Sequence, residues 1–199
     1  MRIIGLTGGI ACGKSTISAA LREAGAAVID GDVLSRALTA PMGPALPAIR
    51  ERFGDRMFLP DGTLDRRALG ALVFGDDRAR QALDYIMQPM LRRMIGDGIA
   101  EARRSGVRLC VLDMPLLYEA GLDGLCDQVW CAWLPREIQL ERLMARDGFT
   151  LAEAEARLRS QMPTEEKAAR ADVVIDTSGT IEETRSKLPE LIWAAEEGL

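Results

Sequence analysis

Five short apolar runs punctuate the chain: Arg2–Thr7 (RIIGLT), Ala26–Asp30 (AAVID), Val107–Asp113 (VRLCVLD), Gln128–Leu134 (QVWCAWL) and Asp172–Asp176 (DVVID). Each is nearly continuous rather than alternating, the pattern of strands covered on both faces in a parallel sheet. Stretches with helical spacing follow several of them. Lys14–Ala24 closes at Gly25, Pro135–Arg146 follows the fourth run, and Thr180–Glu197 opens with Thr180 and Glu183 at the spacing of a capping box. A chain built this way predicts an α/β fold: three layers around a five-stranded parallel sheet.

Two segments interrupt the alternation. Gly31–Gly106 is too long for one crossover and reads as helices with a Pro-Asp-Gly turn at Pro60–Gly62. Arg142–Arg170 is polar and arginine-rich, with a second capping-box spacing at Thr150 and Glu153. Insertions of this size are usually functional. The expected organisation is a single domain with core segments 1–30, 107–141 and 171–199, an inserted helical substrate subdomain over about 31–106, and a lid over about 142–170.

Composition narrows the function. With 199 residues, 48% hydrophobic and 28% charged, the chain can bury one core. A net charge of −5 argues against a nucleic-acid surface. The longest later apolar stretch, Leu109–Tyr118, is broken by Asp113 and Pro115 and falls far short of a bilayer span. The four cysteines (Cys12, Cys110, Cys126, Cys131) lack CxxC spacing and there is no histidine, which tells against zinc and against a histidine base. A reduced, cytoplasmic setting without a membrane partner is expected.

Gly8-Gly9-Ile10-Ala11-Cys12-Gly13-Lys14-Ser15 matches G-x-x-x-x-G-K-[ST], after a strand and opening a helix. Glycines there let backbone N–H groups curve around phosphate oxygens, and the helix N-terminus adds partial positive charge. This P-loop predicts ATP binding, with Lys14 on the β- and γ-phosphates, Ser15 on Mg²⁺ and Thr16 at the α-phosphate end. Cys12 is either a tolerated small residue or a thiol activated by the helix N-terminus, in which case ATP would shield it.

Asp30-Gly31-Asp32 stands directly after the second strand. Asp32 there could accept a proton from an attacking hydroxyl, or cap the next helix. Asp113 ends the third strand and reads either as the carboxylate behind Mg²⁺ or as a turn cap before Pro115. Arg142 and Arg146 are four apart on one helical face, with Arg136 upstream and Arg157 and Arg159 beyond. They could neutralise the charge of a transferring phosphoryl group, or form a solvated face paired with Glu141 and Asp147.

Taken in order, these residues resemble the dephospho-CoA kinase family, the last enzymes of coenzyme A biosynthesis. The resemblance rests on Ile4-Gly-Leu-Thr-Gly-Gly-Ile with Cys12-Gly-Lys-Ser, and on Val28-Ile-Asp30-Gly-Asp32. It continues through Phe53-Gly54, Asp61-Gly-Thr-Leu-Asp-Arg66-Arg-Ala-Leu69, Val73-Phe74 and Met114-Pro-Leu-Leu-Tyr-Glu119. Arg142-Leu-Met-Ala-Arg146-Asp, Gln161, and Ala171-Asp-Val-Val-Ile-Asp176 with Gly179 complete it.

The resemblance implies transfer of the ATP γ-phosphoryl to the 3′-hydroxyl of dephospho-CoA, with Asp32 as base. It also implies an acceptor site including Arg66, Pro115, Leu116, Leu117 and Glu119, and adenine-side contacts from Arg142, Thr177 and Gly179. Small-molecule substrates only, acting on a monomer or weak homo-oligomer, are expected. Three positions depart from the family pattern. Met87-Gln88-Pro89 stands where His-Pro is usual, Thr177 where Asn is common, and Cys12 where serine or glycine is usual. The competing readings are another nucleotide or small-molecule P-loop kinase and a regulatory nucleotide-binding ATPase.

Overall fold

The computed structural model describes residues 1–198. The strand β1 (Arg2–Gly8) lies at the centre of a five-stranded, wholly parallel sheet. Its neighbours are β2 (Ala27–Asp30), β3 (Leu109–Asp113), β4 (Gln128–Trp133) and β5 (Val173–Asp176), in the order β2-β3-β1-β4-β5. The three-layer expectation is met. All five strands fall where the apolar runs placed them, differing by one or two residues at their ends.

Side chains alternate across each strand, so the sheet has two differently covered faces. Ile4, Leu6, Val111, Trp130 and Ala132 pack with Ile17 and Leu21 of α1 (Lys14–Glu23) and with Leu188 and Ala195 near the C-terminus. On the other face, a Cβ at Gly5 would come within 2.7 Å of Leu117 and 2.8 Å of Cys126 Sγ. Close packing of the 117–126 loop therefore requires glycine there.

The chain divides into two compact units, Met1–Asp30 with Ile99 onward, and Gly31–Gly98. The second holds α2 (Gly31–Leu38), α3 (Leu46–Phe53), a 3₁₀ turn at Asp55–Met57, α4 (Arg66–Gly75) and most of α5 (Asp77–Arg104). Its own core gathers Leu38, Ile49, Phe53, Met57, Leu64 and Leu69. Asp65 caps α4 by accepting from the backbone N–H groups of Arg67 and Ala68 at 3.0 and 2.9 Å. The Pro60–Gly62 turn is present, with the Gly62 N–H donating to the Leu59 carbonyl at 2.8 Å.

After β4 come α6 (Arg136–Asp147), α7 (Leu151–Arg159) and α8 (Thr164–Arg170). Both sequence-predicted capping boxes form, at Thr150/Glu153 and Thr180/Glu183. The helix expected over Thr180–Glu197 is instead two, α9 (Ile181–Ser186) and α10 (Leu188–Glu197). Pro189 explains the break: it lacks an N–H and is tolerated in a first turn but not in a helix interior. Among the described residues no helix is long and apolar enough to cross a membrane.

Candidate active site

The phosphate loop spans the gap from the end of β1 at Gly8 to the first residue of α1, Lys14. Its turn needs left-handed backbone at Gly13 (φ 71°) and also at Ala11 (φ 61°). For Ala11 that conformation costs about 1–2 kcal/mol. No side chain caps the α1 N-terminus, so its first amides remain directed at the anion site that a helix start provides.

Three distant side chains hold the loop. Gln139 Nε2 donates to the Ile10 carbonyl at 2.7 Å. Thr177 Oγ1 stands 2.9 Å from the Cys12 carbonyl and 3.1 Å from that of Trp133. Thr164 Oγ1 lies directly against Gly9, where a Cβ would fall 2.1 Å from it and 2.4 Å from Gln139 Nε2. Only glycine fits at Gly9. Neither Gln139 nor Thr164 was among the residues that sequence reasoning singled out.

Lys14 forms an ion pair with Asp113 at the carboxyl edge of the sheet. Asp113 is buried and stands in register with Leu6 of β1 and Asp30 of β2. Its carboxylate is the partner of the loop lysine, a pairing that neither of its two sequence readings named. Asp32 lies exposed in the first turn of α2, two residues past Asp30.

A cleft of about 640 Å³ opens beside the loop. It is lined by Ala11, Gly13, Ser15 and Thr16 on one side, and by Arg142, Arg146 and the 177–181 segment on the other. Arg142 donates to the carbonyls of Thr177, Ser178 and Gly179 at 2.9, 3.1 and 3.2 Å. It thereby shapes the cleft wall. Arg146 makes a two-pronged pair with Asp147 at 2.9 and 2.8 Å, which raises its own pKa and lowers that of Asp147. The local pairing weighed for Arg146 in the sequence therefore forms. Arg136 and Arg159 likewise reach Glu155, at 4.0 and 3.3 Å.

Of the two readings of Cys12, the tolerated small residue fits: it is buried, and burial pushes its pKa up to about 11 despite the helix start beside it. Thr177 is also buried, and its side chain braces the loop from the cleft wall. Leu117 packs in the core and cannot touch an acceptor through its side chain, whereas Leu116 is exposed. The Pro115 carbonyl accepts from Thr7 Oγ1 at 3.1 Å and from Lys167. Glu119 pairs with Lys167 at 2.8 Å and accepts the Met162 N–H at 3.0 Å. Arg66 donates to the Arg36 and Thr39 carbonyls, both at 3.1 Å, and so closes the end of α2.

The chain is similar in sequence and fold to known proteins. The family model described as dephospho-CoA kinase matches residues 2–183. A dephospho-CoA kinase of Anaeromyxobacter dehalogenans is 50% identical over 96% of this chain and 91% of its own length. Another, from Geobacter sulfurreducens, is 50% identical over 98% of both chains. The solved dephospho-CoA kinase of Campylobacter jejuni superposes with a TM-score of 0.73 at 28% identity, covering 98% of each chain. With a match running through both compact units and not confined to the phosphate loop, the chain belongs to the dephospho-CoA kinase family.

Proposed function

We propose that the protein transfers the γ-phosphoryl group of ATP to the 3′-hydroxyl of the dephospho-CoA ribose, releasing ADP and coenzyme A. The observation that carries this reading is the family match over residues 2–183, which takes in the phosphate loop and the inserted helices together. In the proposed mechanism the loop amides and Lys14 hold the β- and γ-phosphates while Arg142 and the 177–179 segment border the nucleoside. The acceptor oxygen forms a bond to the γ-phosphorus as the bond to the β,γ-bridging oxygen breaks. Asp32 takes the hydroxyl proton, and Arg146 offsets charge on the transferring group.

Ser15 and Asp113 supply the hard oxygen donors suited to Mg²⁺, an ion usually held by one or two carboxylates together with substrate phosphates. When bound it would neutralise charge across the β- and γ-phosphate oxygens. Arg66 and Leu116 remain the proposed acceptor contacts. We place the enzyme in the cytoplasm, acting as a monomer or weak homo-oligomer.

A coupled ADP-release assay with dephospho-CoA, adenosine, AMP and shikimate as acceptors tests the proposal. Turnover is expected with dephospho-CoA. Turnover with AMP or shikimate but not with dephospho-CoA would replace it with another small-molecule kinase. Slow hydrolysis indifferent to every acceptor would point to a regulatory ATPase.

A further inference from the structure

Lys167 is completely buried, an expensive place for an ammonium group unless it is paired and hydrogen-bonded. Its two partners come from one short stretch after β3: the Pro115 carbonyl and Glu119 Oε1. The Pro115 carbonyl also receives Thr7 Oγ1, one residue before the phosphate loop begins, and Pro115 itself is two residues past Asp113. The same Glu119 oxygen takes the Met162 N–H just ahead of α8. One ammonium thus joins α8 to the ends of both strands that present Lys14 and Asp113.

The first residue of α8 touches the loop itself. Thr164 lies three residues before Lys167, on the same helical face. Its Oγ1 is 3.3 Å from Gln139 Nε2 and 3.8 Å from Cys12 Sγ, and it presses against Gly9. A helix of seven residues has little stability of its own, so its position is set by tertiary anchors. Among the described residues of α8, Thr164 and Lys167 are the buried ones, and only Lys167 carries charge.

We propose that Lys167 is a positioning residue for the ATP site: by latching α8 to Pro115 and Glu119, it seats Thr164 beneath the phosphate loop and fixes the Asp113 turn. An aliphatic side chain could fill the same volume, but it could not tie Pro115 and Glu119 to one point. The inference rests on reading Gly8–Thr16 as the ATP cradle, and its test includes a readout independent of the acceptor.

Four proteins are compared: wild type, Lys167→Met, the neutralised pair Lys167→Met with Glu119→Gln, and the near-isosteric Thr164→Val. Cysteine alkylation is mapped by peptide mass under native conditions, with Cys110 of β3 as the internal control, and ATP affinity and kcat are measured alongside. Each variant is expected to label faster at Cys12 while Cys110 keeps its wild-type rate. Each should also lose roughly 10- to 100-fold in kcat/KM for ATP, the scale of a small misplacement made away from the chemistry.

Should Lys167→Met fail to fold for want of a counter-charge, the neutralised pair and Thr164→Val carry the same expectation. Unchanged Cys12 labelling in the variants that fold, or a rise shared equally by Cys110, overturns the latch. If wild type turns out not to phosphorylate dephospho-CoA, the Cys12 readout and direct ATP titration still decide the latch separately from the reaction.

Discussion

Lys14 and Asp113 are paired across the carboxyl edge of the sheet, the first residue of α1 against the last of β3. The two ends of the pair differ in surroundings: the Asp113 side chain is 5% exposed and that of Lys14 is 18% exposed. The carboxylate is thus committed to the interior, while the ammonium keeps a side toward solvent, where phosphate oxygens arrive. Lys14 therefore serves both the stability of the site and its chemistry.

Separating those two roles requires a pair of variants. Lys14→Met should nearly abolish turnover, and by stranding a buried carboxylate it should also destabilise the fold by roughly 3 kcal/mol. Adding Asp113→Asn removes the stranded charge. Denaturant midpoints should then recover toward wild type while turnover stays lost. A midpoint that stays at the Lys14→Met value would mean that the stranded carboxylate is not what destabilises the single variant.

The strands were legible because each is buried on both faces and reads as an unbroken apolar run, and the loop because its glycines and lysine follow a fixed spacing. The supports of the loop were not. Gln139 reaches Ile10 across 129 positions and Thr177 reaches Cys12 across 165, relationships with no periodic signature in one sequence. Lys167 was hidden for another reason: hydropathy patterning assigns charge to the outside, and α8 is too short for its buried face to stand out. Leu117 falls in a motif that resembles a ligand-binding run, yet its side chain is fully buried, and Glu119 beside it pairs with Lys167.

Asp32 sits exposed in the first turn of α2, so its replacement should act on chemistry more than on folding. Asp32→Asn is expected to lower kcat by about 10²–10⁴ while the ATP dissociation constant and melting temperature hold. The check is single-turnover kinetics beside calorimetry. A fall in melting temperature that tracks the loss of activity would assign the carboxylate to the helix start instead.

Arg142 spreads its guanidinium over three successive carbonyls, a task for a planar fork that a lysine ammonium cannot reproduce. Arg142→Lys keeps the charge yet should raise the KM for ATP about tenfold, a change worth roughly 1.4 kcal/mol. The KM for the acceptor should stay near wild type. If charge alone mattered, the lysine variant would behave as wild type and only Arg142→Ala would fail.

The cysteines set an alkaline limit to stability. Burial pushes Cys12 and Cys110 up to about 11, and Cys126 and Cys131 up to about 12, from an ordinary value of 9.0. Above pH 9 the unfolded chain releases these protons while the native protein keeps them. The native state then binds more protons, so stability falls as pH rises. The contribution is fully present below pH 9 and is lost as pH climbs through about 11 to 12. Denaturant midpoints should therefore be level on the neutral side of pH 9 and decline beyond it. Cys131→Ala should decline less steeply than wild type, whatever its midpoint at neutral pH. The same shift makes Cys12 a slow thiol whose alkylation should accelerate with pH. Rapid labelling of Cys12 at neutral pH, abolished by ATP, would restore the activated thiol that burial argues against.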